Sequence, residues 1–206
     1  MTRPTPLLIP VLLLSLLTVA TPAHTQKALP TPPSAEKLGR AEKHDEKRSG
    51  LSLGFALHRF QDDFGMSGVI GTPTFAGDTL RITAAGGVAW FPHGQSSSGE
   101  TWVSYGHTRL VIEGGRRLDG VPIRLYGFGG ATALIVPKEL SSDGFTMGGV
   151  GGFGFEFYMP KGGRDGPVSY FIELGGIGTG AHANRQAASP IFANGFLATV
   201  GLRVYP

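Results

Sequence analysis

From Leu51 to Pro206 the chain alternates large apolar side chains with small or polar ones, segment after segment, and no helical period interrupts the pattern. Successive side chains of an extended strand point to opposite faces, so a period of two specifies strands with one apolar side. The predicted strands span residues 51–60, 64–72, 79–91, 101–113, 121–136, 145–159, 168–179 and 191–205. The sixth is the most regular: Phe145, Met147, Phe153, Phe155, Phe157 and Met159 share one face, while Gly148, Gly152, Gly154 and Glu156 share the other. Pro73 stops the second strand because it has no N–H to give to a ladder.

The expected fold is all-β, an eight-stranded antiparallel up-and-down barrel formed by residues 51–206. The strands reach the roughly 9–11 residues that a tilted bilayer-spanning strand requires, so the barrel is expected to be transmembrane. Of the 33 glycines only Gly39 and Gly50 fall outside residues 51–206. That density suits strands that coil tightly around a narrow lumen. With about eight strands the lumen is filled by side chains, and no water-filled pore is expected. Trp90 and Trp102 flank one loop, and Tyr158 and Tyr170 flank a turn at the other end, as aromatic girdles would.

The N-terminus reads differently. Arg3 precedes the apolar run Pro6 to Ala20, and small residues follow at Ala20 and Ala23. Residues 1–23 are therefore expected to be a cleaved secretory signal peptide, cut after either alanine. The run is shorter than the roughly 20 residues of a spanning helix. Residues 24–50 begin Pro-rich, carry the mixed-charge run Glu36 to Arg48, and lack the apolar surface needed to offset ordering. They are expected to form a disordered arm, open to an envelope partner that the sequence does not identify.

Composition removes several function classes. The chain has no cysteine, which excludes disulfides, thiol catalysis and thiolate metal sites. Its formal charge of +3 comes from outside the barrel region, since residues 51–206 hold 11 basic and 11 acidic side chains. The basic residues are scattered, and no nucleic-acid surface is expected.

One constellation stands out. On the face opposite the apolar one lie Arg81, Arg109, Arg124, Glu156, Glu173 and Arg203. Inside a closed barrel such charges have to compensate one another, so a structural lumen charge network is expected, with a proton or ion relay as the functional alternative. Gly149 to Gly154 matches G-x-G-x-x-G but lies inside a strand pattern with no helix after it, so no cofactor is expected. His58, His93 and His107 have no metal-ligand spacing. Asp62-Asp63 and Ser141-Ser142-Asp143 supply too few oxygens for a calcium loop and are expected to be solvated. His182 and Ser189 share a predicted loop without a nearby carboxylate to orient them, which leaves a rim hydrolase acting on lipid A a minor alternative.

The closing segment Asn194 to Pro206 (NGFLATVGLRVYP) is similar to the C-terminal strand read by the barrel-assembly machinery. With the eight-strand pattern, the region 51–206 resembles the small outer-membrane β-barrel superfamily of Gram-negative bacteria, which includes the OmpA-type barrel domain. Pro206 stands where that family ends on Phe, and Tyr205 falls on the other parity. The resemblance implies a cell outer membrane location, lipid and the assembly machinery as partners, and a structural or loop-mediated role without catalysis. The competing reading is a soluble periplasmic lipocalin-like barrel, with the aromatic face of strand six lining a cavity for an apolar ligand.

Overall fold

The computed structural model describes residues 50–96, 99–161, 164–186 and 189–206. The expected signal peptide and the arm as far as residue 49 lie outside them. Eight strands follow in order: β1 (Ser52–Phe60), β2 (Asp63–Gly71), β3 (Leu80–Ser96), β4 (Gly99–Arg117), β5 (Ile123–Ile135), β6 (Phe145–Lys161), β7 (Arg164–Gly178) and β8 (Gly195–Val204). Each pairs antiparallel with its neighbours, and β1 closes on β8, giving the expected closed barrel. Closure leaves no free sheet edge.

The period of two decides what faces inward. Along β2, Asp63, Gly65, Ser67, Val69 and Gly71 are buried, while Phe64, Met66, Gly68 and Ile70 are exposed. In β6 the outward positions are those of the predicted aromatic face, with Phe145, Met147, Phe153, Phe155 and Met159 exposed and Glu156 fully buried. The lipocalin-like reading required the opposite arrangement and is corrected here.

Several boundaries differ from those expected. The polar stretch 92–100 is not an open loop, because the β3–β4 ladder continues to Ser96↔Gly99 past a register shift between His93 and Gln95. Similarly, β6 and β7 stay paired to Lys161↔Arg164. At β8 the correction runs the other way: the strand begins at Gly195, not Ile191. Ala193 at φ 47° and Gly195 at φ 94° turn the chain there, placing Phe192 and Ala193 inside the barrel mouth. Tyr158 turns its hydroxyl toward Glu156, 3.4 Å away, and it is Phe157 that stacks on the outward Tyr170 at 4.7 Å.

The interior is layered along the barrel axis. At the end where β1 starts and β8 finishes lie the charged side chains. At the other end Phe60, Phe91, Tyr105, Leu134, Phe192 and Leu197 form an apolar plug. The chain between β7 and β8 supplies Ala181, Ala183, Phe192 and Ala193 to that plug.

Candidate functional site in the lumen

Two carboxylates organise the charged end. Glu113, near the end of β4, accepts from Arg81 at 2.6 Å, Arg203 at 2.6 Å and Arg124 at 3.1 Å, and from the Thr83 hydroxyl at 2.6 Å. Glu156 on β6 accepts from Arg81 at 3.0 Å, Arg203 at 3.4 Å and the Ser169 hydroxyl at 2.7 Å. It also accepts from the Tyr205 hydroxyl, which in turn accepts from Arg81 at 2.7 Å. Tyr205 lies past the end of β8, and burial pushes its phenol up, so it stays a donor. Glu113, Glu156 and Arg203 are fully enclosed.

A second pair sits further along the axis. Arg109 donates to Glu173 at 2.9 Å, and Tyr126 donates to the other oxygen of Glu173 at 3.0 Å. Arg203 stands between the two groups, 3.9 Å from Glu173, with its guanidinium 4.3 Å from the centre of the Phe171 ring. Planar guanidinium groups suit this position because they donate in a fork and also lie flat on an aromatic face. Carboxylates that each take several donors satisfy the requirement that buried charge be compensated.

All six sequence-predicted residues thus point into the lumen. Arg81, Arg124, Glu156 and Arg203 meet at one level, and Arg109 pairs with Glu173 at the next. Sequence reasoning left out Glu113, which pairs with the same three guanidinium groups as Glu156 and lies closer to each of them. Its parity with His107 and Arg109 was the available sign. Tyr205 is off the parity expected of an outward terminal aromatic, and that parity is what brings it into the lumen beside Arg203.

Other singled-out residues fall elsewhere. Asp63 is not solvated; it is buried at the mouth and accepts from the Tyr105 hydroxyl at 2.6 Å and the Ala193 N–H at 2.8 Å. Asp63 therefore ties the plug to the wall. Ser142 and Asn184 exchange two hydrogen bonds, at 2.8 and 2.7 Å, linking the 136–144 and 179–194 segments over the opening. Among the described residues no hydrogen bond joins His182 to Ser189; His182 instead pairs with Ile191 through its backbone. Gly149 to Gly154 lie within β6, and no group of three or more metal-ligating side chains occurs among the described residues. His58 and His107 contact edge-on at 4.4 Å around a void of about 10 Å³, room for one water.

The arrangement is a filled lumen: three carboxylates and four guanidinium groups locked together at one end, and an apolar plug at the other.

No family model and no curated protein matches this chain. Among solved structures, the chain is similar to the N-terminal β-barrel domain of Pseudomonas aeruginosa OprF, at 17% identity and a TM-score of 0.48, over 76% of this chain and 96% of that one.

Proposed function

We propose that the protein is exported, loses residues 1–23 to signal peptidase, and spans the outer membrane as a non-enzymatic barrel with a structural or loop-mediated interaction role. The observation that carries this reading is the inversion of polarity across the wall. Leu53, Ile70, Leu110, Ile135, Phe153 and Val200, spread over six strands, are all exposed, whereas Arg81, Glu113, Glu156 and Arg203 are buried. A water-soluble barrel of this size would gain nothing from an apolar exterior, but hydrocarbon favours it.

In this reading the chain termini face the periplasm, and the connections after β1, β3, β5 and β7 face outward. The interlocked 136–144 and 179–194 segments then form the surface offered to partners. Lipid contacts the wall, the assembly machinery receives β8, and the N-terminal arm is left free for an envelope partner. The test is gel migration of boiled and unboiled samples from a fractionated Gram-negative host. A heat-dependent shift confined to the outer-membrane fraction is the expected result, and a freely soluble periplasmic protein without the shift would overturn it.

A further inference from the structure

We propose that one water molecule is held inside the lumen by the imidazole pair His58 and His107 and belongs to the folded barrel; this goes beyond the membrane reading and does not depend on it. Both residues are only 5% exposed. Among the described residues, neither Nε2 atom has a hydrogen-bond partner, and both are shielded from bulk solvent. A buried polar atom left unpaired is costly, so two such atoms on rings 4.4 Å apart call for a partner that both can reach.

The register between strands makes room for one. Both rings line a void together with Ser67, Ala85, Arg109 and Thr132. Ser67 on β2 lies opposite Gly87 on β3, and Gly87 lies opposite His107 on β4. In the next inward row Ala85 lies opposite Arg109, which lies opposite Thr132 on β5. The two inward positions of β3 at this height are thus Gly87 and Ala85, and a larger residue at Gly87 is blocked because a Cβ there would collide with the Met66 carbonyl. Phe60 covers the void from the plug side, its ring 4.5 Å from that of His58 and 5.6 Å from that of His107. Arg109 covers it from the charged side while donating to Glu173.

Size and charge select the occupant. A void of about 10 Å³ lies at the lower bound for one water and excludes a larger ligand. A metal cation would sit beside the Arg109 guanidinium, and no group of three or more metal-ligating side chains occurs among the described residues. Water suits the mixed lining, because it donates to a bare imidazole nitrogen and accepts from an imidazole N–H, a hydroxyl or a guanidinium, whichever tautomer each ring holds. His58, His107, Ser67, Thr132 and Arg109 offer the roughly two to four polar partners that a buried water takes. So held, the water joins the imidazole pair to the Arg109–Glu173 level and carries the polar column of the lumen to the underside of the plug.

The test uses the full chain, isotope-labelled and folded in detergent micelles, and reads magnetisation transfer from water to the carbon-bound ring protons of the two histidines by NMR. His58→Phe and His107→Phe assign the ring signals, and heat-dependent migration verifies that each protein is folded. Wild type is compared with Ala85→Val, which puts two methyl groups into the void, and with Ser67→Ala/Thr132→Val, which removes the hydroxyls that could relay magnetisation but keeps the space. Wild type and the double variant should both show water cross-peaks to the two rings, and Ala85→Val should lose them. No cross-peak in wild type overturns the site. Loss in the folded double variant also overturns it, by assigning the signal to the hydroxyls, and so does undiminished transfer in folded Ala85→Val, where exchange through an imidazole N–H would persist without a bound water. Should Ala85→Val not fold, Ala85→Cys, which adds a single heavy atom to the void, takes its place with the same expected loss.

Discussion

Glu113 on β4 and Arg203 on β8 meet across the lumen at 2.6 Å with neither side chain accessible to solvent. Three strands lie between β4 and β8 on either way round the closed barrel, so this contact joins opposite walls. Removing one partner of a buried pair leaves an uncompensated charge, which costs about 3–5 kcal/mol. Because Glu113 also holds Arg81 and Arg124, Glu113→Gln should reach that range, whereas Arg124→Gln should cost less. Urea unfolding in detergent, read by the loss of the unboiled gel form, measures both. Equal effects of the two substitutions would overturn this ordering.

At the mouth the buried carboxylate of Asp63 ties the plug to the wall. Tyr105→Phe deletes the donor to Asp63 while keeping the ring that packs on Phe192 at 5.2 Å. The expected loss is about 1–3 kcal/mol, the penalty for a buried acceptor deprived of a partner. Limited proteolysis should then cut the 179–194 segment before the strands unfold. Unchanged protection of that segment would sink its anchoring by Asp63.

Leu110 is 57% exposed near the middle of β4. If the wall faces lipid, Leu110→Arg should destabilise the vesicle-inserted barrel by about 2–4 kcal/mol, the range for a cation on the lipid face near the midplane. If the wall faces water, the same change is near neutral, because surface substitutions seldom exceed about 0.5 kcal/mol. Comparing Leu110→Arg with Leu110→Ser in vesicles separates the two situations.

Glycine tolerance should follow the direction in which each residue points. Gly87→Ala forces a methyl into the Met66 carbonyl and should cost more than 1 kcal/mol, in the range of overpacking. Gly129→Ala faces open space and should be neutral or stabilising. Refolding yields of the two single variants under identical conditions give the comparison, and a reversed order would contradict the assigned faces.

The alternation of β2 and β6 is written in the residues themselves. Period two, eight segments and short links leave few alternatives to a closed barrel, and the same parity marks Arg81, Arg109, Arg124, Glu156, Glu173 and Arg203 as lumen residues. Parity applied throughout would also have found Glu113 and Tyr205. Sequence could not tell which charges meet, because each strand fixes side but not height. Strand stagger sets Glu113 level with Arg81 and Arg203, and sets Arg109 level with Glu173. Nor could polarity identify Asp63 as internal: a carboxylate beside a turn looks solvated until the returning 179–194 segment covers it. The alternation by itself determined the strands and which residues share a face, since both follow from the geometry of one strand, whereas which face turns inward was decided by the closed barrel. Which charges pair, what fills the mouth and where the lumen is hollow were decided only by tertiary structure, because these depend on the register between strands distant in the chain.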